Sequence, residues 1–146
     1  MTSSRRETLD LLADFAHHFE LLVEQGTRTI GLTPVRARLL HAAHHLQPCR
    51  QRDLAAAAGM TTQQAALTVD ALIKGGFLHR RPDPDDRRAV LVELTTDGAD
   101  RIADIETMRE RNADTLLGHL PPAELHALTT IMESVMDRAR HPRDIH

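Results

Sequence analysis

Apolar residues recur at helical spacing over most of the chain. Leu9, Leu12, Ala16, Phe19 and Val23 mark a stripe on a first helix, and Leu11, Phe15 and Leu22 widen it beyond one face. Gly26 and Gly31 bracket the predicted end of that helix. Thr33-Pro34 reads as N-cap and first residue of a second helix, running to about His45. Pro48 breaks the chain, and a short helix is predicted from about Gln51 to Ala58, stopped by Gly59. Thr61 and Gln64 have capping-box spacing. They open a fourth helix with Ala65, Val69, Leu72 and Ile73 inward, ending at Gly75-Gly76.

The period then changes. Phe77 to Arg81 and Ala89 to Leu94 are strand-like, and Pro82 and Pro84 are expected to keep the loop between them unpaired. Thr95 caps a fifth helix with Ile102, Ile105, Met108, Leu116 and Leu117 at its apolar positions. Pro121-Pro122 starts a sixth, striped by Leu125, Leu128, Met132, Val135 and Met136. Helix, turn, helix and then a basic hairpin is an arrangement that sets one helix in a DNA major groove and a loop in the minor groove. The fold class expected is therefore mainly α, a winged helix-turn-helix with a small antiparallel β-wing and long terminal helices. Residues 1–32 are assigned to an N-terminal dimerisation helix and 33–98 to the winged helix-turn-helix. Residues 99–140 are assigned to C-terminal dimerisation helices, and 141–146 to a flexible tail. The terminal helices carry more apolar surface than a small domain can bury, which predicts a homodimer.

Composition narrows the partners. Three Phe and no Trp or Tyr leave few platforms for stacking single-stranded bases. A net charge of −3 argues against indiscriminate coating of DNA, but distribution matters more than the sum. From Arg50 to Arg88 there are seven basic residues against five aspartates, whereas the helices after Asp97 are acidic. A single Cys excludes an internal disulfide. No apolar run reaches membrane-spanning length and the N-terminus lacks a signal-peptide core, so no membrane partner and a cytoplasmic location are expected. There is no Gly-rich phosphate loop, no nucleophile with a recognisable base and no paired-carboxylate pattern beyond the wing. No enzyme activity and no cofactor are expected.

The run Leu78-x-Arg-Arg-Pro-Asp-Pro-Asp-Asp-Arg-Arg88, the cap Leu94-Thr-Thr-Asp-Gly98, the Asp53-Leu-Ala55 to Gly59 helix and the Leu72 to Leu78 junction carry a resemblance. Together they resemble the MarR (multiple antibiotic resistance regulator) family. The resemblance implies a homodimeric DNA-binding transcriptional regulator, a repressor or sometimes an activator. Release from a pseudo-palindromic operator by a small molecule or an oxidant is part of the implied behaviour. The family's Asp-x-Arg pattern falls on Asp86 and Arg88. This makes Arg88, beside Arg87, the implied minor-groove finger and Asp86 its positioning partner. Three aspartates near the tip would repel phosphate unless arginines occupy them, so the wing is plausible only as a paired network.

Thr62, Gln63 and Gln64 at the exposed start of the fourth helix are expected to meet base edges or phosphates. Relatives often carry Thr-Arg where this chain has Ala66-Leu67, which can touch thymine methyls but reads little by hydrogen bonding. Direct readout is expected to be sparse and shape readout by the wing correspondingly greater. The apolar pair also supports a rival reading, a ligand-binding or protein-docking winged helix with weak or no specific DNA binding. The family's ligand cavity implies Phe15, His18, Phe19, Arg38 and His41 as candidates for an aromatic or anionic effector, with Arg38 or a histidine holding a carboxylate.

His41 and His45 stand one turn apart, a metal-compatible spacing. The zinc-sensing branch of the family adds a histidine pair from the fifth helix, which has none before His119 here, so no metal is assigned. Cys49 is away from the position of the family's peroxide-sensing cysteine. Arg50 beside it would lower its pKa, although a structural place in a short β-segment is the favoured expectation.

Overall fold

Three threonines divide the chain into its elements. Thr33, Thr61 and Thr95 each accept a backbone N–H three residues ahead, from Arg36, Gln64 and Gly98, at 3.2, 3.1 and 3.0 Å. Each bond satisfies a donor that the first helical turn leaves without a partner. The computed structural model describes residues 2–142. Its helices are α1 (Arg5–Thr29), α2 (Pro34–Leu46), α3 (Gln51–Ala58), α4 (Thr62–Lys74), α5 (Thr96–Leu117) and α6 (Pro122–Arg140). Its strands are β1 (Cys49–Arg50), β2 (Leu78–Asp83) and β3 (Asp86–Leu94), in the antiparallel order β1-β3-β2. This is the mainly helical winged fold expected from the pattern. None of the described helices is long and apolar enough to cross a membrane.

Two compact units divide the chain, one ending at Arg109 and the other beginning at Glu110. The first contains the core. Leu39 and Leu40 of α2, Leu54 of α3, Val69 and Leu72 of α4 and Val92 of β3 are all at most 1% exposed. Burying each side chain contributes about 1.5–3 kcal/mol. Ile102 and Ile105 of α5 join the same cluster. Gly59 ends α3 in the left-handed region at φ 66°, where its missing Cβ avoids strain.

α1 ends at Thr29, between Gly26 and Gly31 as expected. Gly26 itself lies where a Cβ would meet the Met108 side chain, so it serves close packing of α1 on α5. One expectation is corrected: the prolines do not keep the wing loop unpaired. β2 continues through Pro82, opposite Val90, to Asp83, opposite Asp86, leaving only Pro84-Asp85 as the turn. β2 is an outer strand, with a partner on one side only, so a residue without an N–H is tolerated there.

The terminal helices remain largely bare. Thr27 is the one buried residue of α1, and α6 has none. Leu11 of α1 is 68% exposed and Ile131 of α6 is 59% exposed. Residues 143–146 of the expected tail lie outside the described residues.

Candidate nucleic-acid interface

The hairpin is built asymmetrically. Between the pairs Pro82–Val90 and Asp83–Asp86, β2 has no intervening residue while β3 has three, Arg87, Arg88 and Ala89. They form a bulge, which bends a strand and re-aims its side chains. Arg87 and Arg88 are both exposed. Among the described residues neither forms an ion pair, unlike the other arginines of the wing. Arg80 reaches Asp70 at 2.7 Å, and Arg81 reaches Glu93 at 2.8 Å.

Carboxylates set the backbone of this tip. Asp83 Oδ1 accepts the Asp85 N–H at 2.9 Å, and Asp86 Oδ1 accepts the Arg88 N–H at 3.0 Å. The bond from Asp85, assisted by Arg50, holds the Asp83 carboxyl below the usual aspartate range against the cost of burial. Asp86 therefore touches Arg88 through its backbone, and the Arg88 guanidinium remains uncommitted. The paired network anticipated from the sequence exists, but its central cation is Arg50. Its Nη2 lies 3.3 Å from Asp83 Oδ2 and 3.6 Å from Asp86 Oδ2. Sequence reasoning counted Arg50 as part of a basic segment and as a neighbour of Cys49, not as part of the wing. Its position before α3, where a capping residue is usual, was the available signal.

α4 presents its N-terminal turn outward. Thr62, Gln63 and Gln64 are exposed, Ala66 is half-buried and Leu67 is 66% exposed. Gln64 Oε1 accepts the Thr61 N–H at 3.2 Å, so the capping box occupies its acceptor. Asp70 lies three residues beyond Leu67 on the exposed side, and its pairing with Arg80 ties α4 to the wing. Arg80 also donates to Gln51 of α3 at 3.3 Å.

The expected effector residues fall on α1 and α2. Phe15 and Phe19 stack with centroids 5.8 Å apart and are at least two-fifths exposed. His18 is 3.6 Å from Asp14, and Arg38 is exposed. His41 Nε2 meets Glu106 Oε1 of α5 at 2.8 Å and His45 Nε2 at 3.4 Å. No hydrogen bond or ion pair among the described residues joins the α1 candidates to Arg38 or His41. Burial, then Arg109, pulls the His41 pKa below its ordinary value, while Glu106 opposes them. The fifth-helix group that meets His41 is a carboxylate, Glu106. No group of three or more metal-ligating residues assembles among the described residues. In the second unit, an apolar groove is lined by Leu117 of α5 and by Leu128, Met132 and Met136 of α6.

Cys49 is buried in β1, as favoured from the sequence. The expected lowering of its pKa by Arg50 is corrected. Burial, then Asp53, raises it, and the Arg50 guanidinium is engaged at the wing instead.

Helix-turn-helix, three-stranded sheet and basic bulged hairpin define a winged helix-turn-helix protein. Residues 32–90 match the model of the MarR family, and solved MarR-family regulators share the fold of the chain. Over 87 residues it is 30% identical to the HTH-type transcriptional regulator BilQ of Clostridium symbiosum, covering 60% of each protein. The chain thus spans about three fifths of the length of that curated relative. Its fold is similar to that of CouR from Rhodococcus jostii RHA1, a structure with p-coumaroyl-CoA bound. The TM-score is 0.77 at 20% identity, over 99% of this chain and 100% of that one. It is also similar to a mutant of S. aureus MepR bound to an oligodeoxyribonucleotide, with TM-score 0.61 and 19% identity over 90% and 97% of the two chains.

Proposed function

We propose that this protein is a homodimeric DNA-binding transcriptional regulator, acting as a repressor that a small aromatic or anionic effector releases from a pseudo-palindromic operator. The observation that carries the reading is the bulge holding Arg87 and Arg88 exposed and without ion pairs. Guanidiniums so presented suit the concentrated negative potential of a narrow minor groove. Thr62, Gln63 and the free amide nitrogen of Gln64 are offered to base edges or phosphates, and Leu67 to a thymine methyl. MepR in complex with an oligodeoxyribonucleotide supports the DNA partner by analogy of fold, and BilQ supports the regulatory role by similarity of sequence.

Dimerisation rests on the bare apolar faces of α1 and α6. Two copies of α4 would then enter successive major grooves about 34 Å apart. The effector reading rests on Phe15, His18, Phe19, Arg38 and His41 and on the ligand in CouR. Residues 1–32 and 99–140 are proposed as dimerisation segments around the DNA-binding domain 33–98.

The test is an anisotropy titration of a labelled duplex from the gene's upstream region, beside a scrambled duplex and at several salt concentrations. Tight binding to the native duplex alone, falling steeply with salt, is expected. Equal, weak binding to both, with no duplex enriched from a genomic library, would favour a protein-docking surface centred on exposed Leu67.

A further inference from the structure

Arg50 ends β1 and occupies the N-cap position of α3, yet its side chain makes no capping bond. Ser, Thr, Asp or Asn there would accept a helix N–H, which arginine cannot do. Its interactions lie across the sheet. Arg50 pairs with Leu91 of β3, and its Nη2 stands 3.3 Å from Asp83 Oδ2 and 3.6 Å from Asp86 Oδ2. These aspartates face each other as the last pair of the hairpin. The second oxygen of each accepts a backbone N–H, from Asp85 in one case and Arg88 in the other. One guanidinium therefore holds both carboxylates that shape the turn and the bulge.

Charge at the tip depends on the same residue. Asp83, Asp85 and Asp86 are balanced there by Arg50, Arg87 and Arg88, because Arg80 and Arg81 are engaged by Asp70 and Glu93. Without Arg50 the acids would outnumber the cations. Asp83 and Asp86 would then compete with phosphate for Arg87 and Arg88.

We propose that Arg50 is the positioning residue of the wing: held between Asp83 and Asp86, it neutralises both and leaves Arg87 and Arg88 free to engage DNA. This rests on the DNA-binding reading above. Unlike a residue that touches phosphate, it acts through the two aspartates.

The test uses the full chain and a duplex that the wild type enriches from a random library. Affinity is compared for wild type, Arg50→Ala, Asp83→Asn with Asp86→Asn, and the combination of all three, with thermal melts alongside. Asparagine keeps the Oδ1 acceptors of the turn while removing the charge. Arg50→Ala is expected to weaken binding roughly tenfold, within the range of coupling in a shared ion-pair network. The asparagine pair should restore most of the loss when Arg50 is absent and raise affinity by a clearly smaller factor when it is present. Unchanged binding by Arg50→Ala, no restoration, or an equal gain from the asparagine pair in both backgrounds would each overturn the inference. Arg50→Lys, tested with and without the same pair, serves if the alanine variant melts early. Failure of the wild type to enrich any duplex would remove the DNA reading itself, and this inference with it.

Discussion

Arg80 Nη2 lies 2.7 Å from Asp70 Oδ1, joining the first half of β2 to the outward side of α4. The carboxylate would otherwise stand uncompensated near Leu67, on the surface proposed above to meet DNA. Arg80→Ala is expected to lower affinity for every duplex several-fold while changing stability by less than about 1 kcal/mol, since the pair is exposed. Asp70→Asn should have the opposite effect on affinity. Anisotropy titrations with urea melts alongside check both; a fall in affinity for both variants would mean that Asp70 accepts from a base rather than merely being screened.

The bulge separates the roles of its arginines from the fold. Arg87→Ala and Arg88→Ala should each reduce the slope of log affinity against log salt by about 1, as expected for one lost phosphate-level contact. Far-UV circular dichroism and the melting temperature should stay at wild-type values, because neither side chain has an ion-pair partner among the described residues. An unaltered salt slope in both variants would take the wing off the DNA.

Local signals made most of the fold legible in the sequence. Thr61 and Gln64 marked the start of α4, Gly59 the end of α3, and the apolar periods fixed which faces turn inward, because those signals act within a few residues. What escaped depended on contacts distant in sequence. The packing role of Gly26 shows only when Met108 is brought against it, and Pro82 resembles a break until β2 is known to be an outer strand. The candidate site divides the same way. Asp86 and Arg88 were visible as a motif three residues long, whereas Arg50 reaches Asp83 across 33 residues of chain. No spacing rule covers such a contact. Its only trace was an arginine at a capping position.

Gly98 holds the junction of α5 with the wing. Thr95 N–H donates to the Phe77 carbonyl at 3.1 Å, and a Cβ on Gly98 would collide with that same oxygen and crowd Leu94. Gly98→Ala should cost about 1–3 kcal/mol, the usual range for overpacking at a tight contact. A lowered urea midpoint with an unchanged slope is the expected signature. Wild-type stability in this variant would mean that the junction relaxes at no cost.

His41 gives the chain an acid-sensitive contact between α2 and α5. Its imidazole is surrounded by Glu106 and Arg109 of α5 and by His45 of its own helix, and His44 meets His45 edge-on. Burial and Arg109 disfavour the proton, Glu106 favours it, and the balance sets the pKa below its ordinary value of 6.5. The unfolded chain therefore takes up this proton first on acidification. The His41 contribution to stability is whole above about pH 6.5 and is lost as pH falls through the folded value. In His41→Gln, stability should decline less steeply between about pH 7 and 5 than in the wild type. Titration of the His41 ring by NMR separates the causes. Glu106→Gln should depress the pKa further, and Arg109→Gln should raise it. An upward shift on losing Glu106 would show that the 2.8 Å contact does not favour the imidazolium, and the acid sensitivity would have to come from another group.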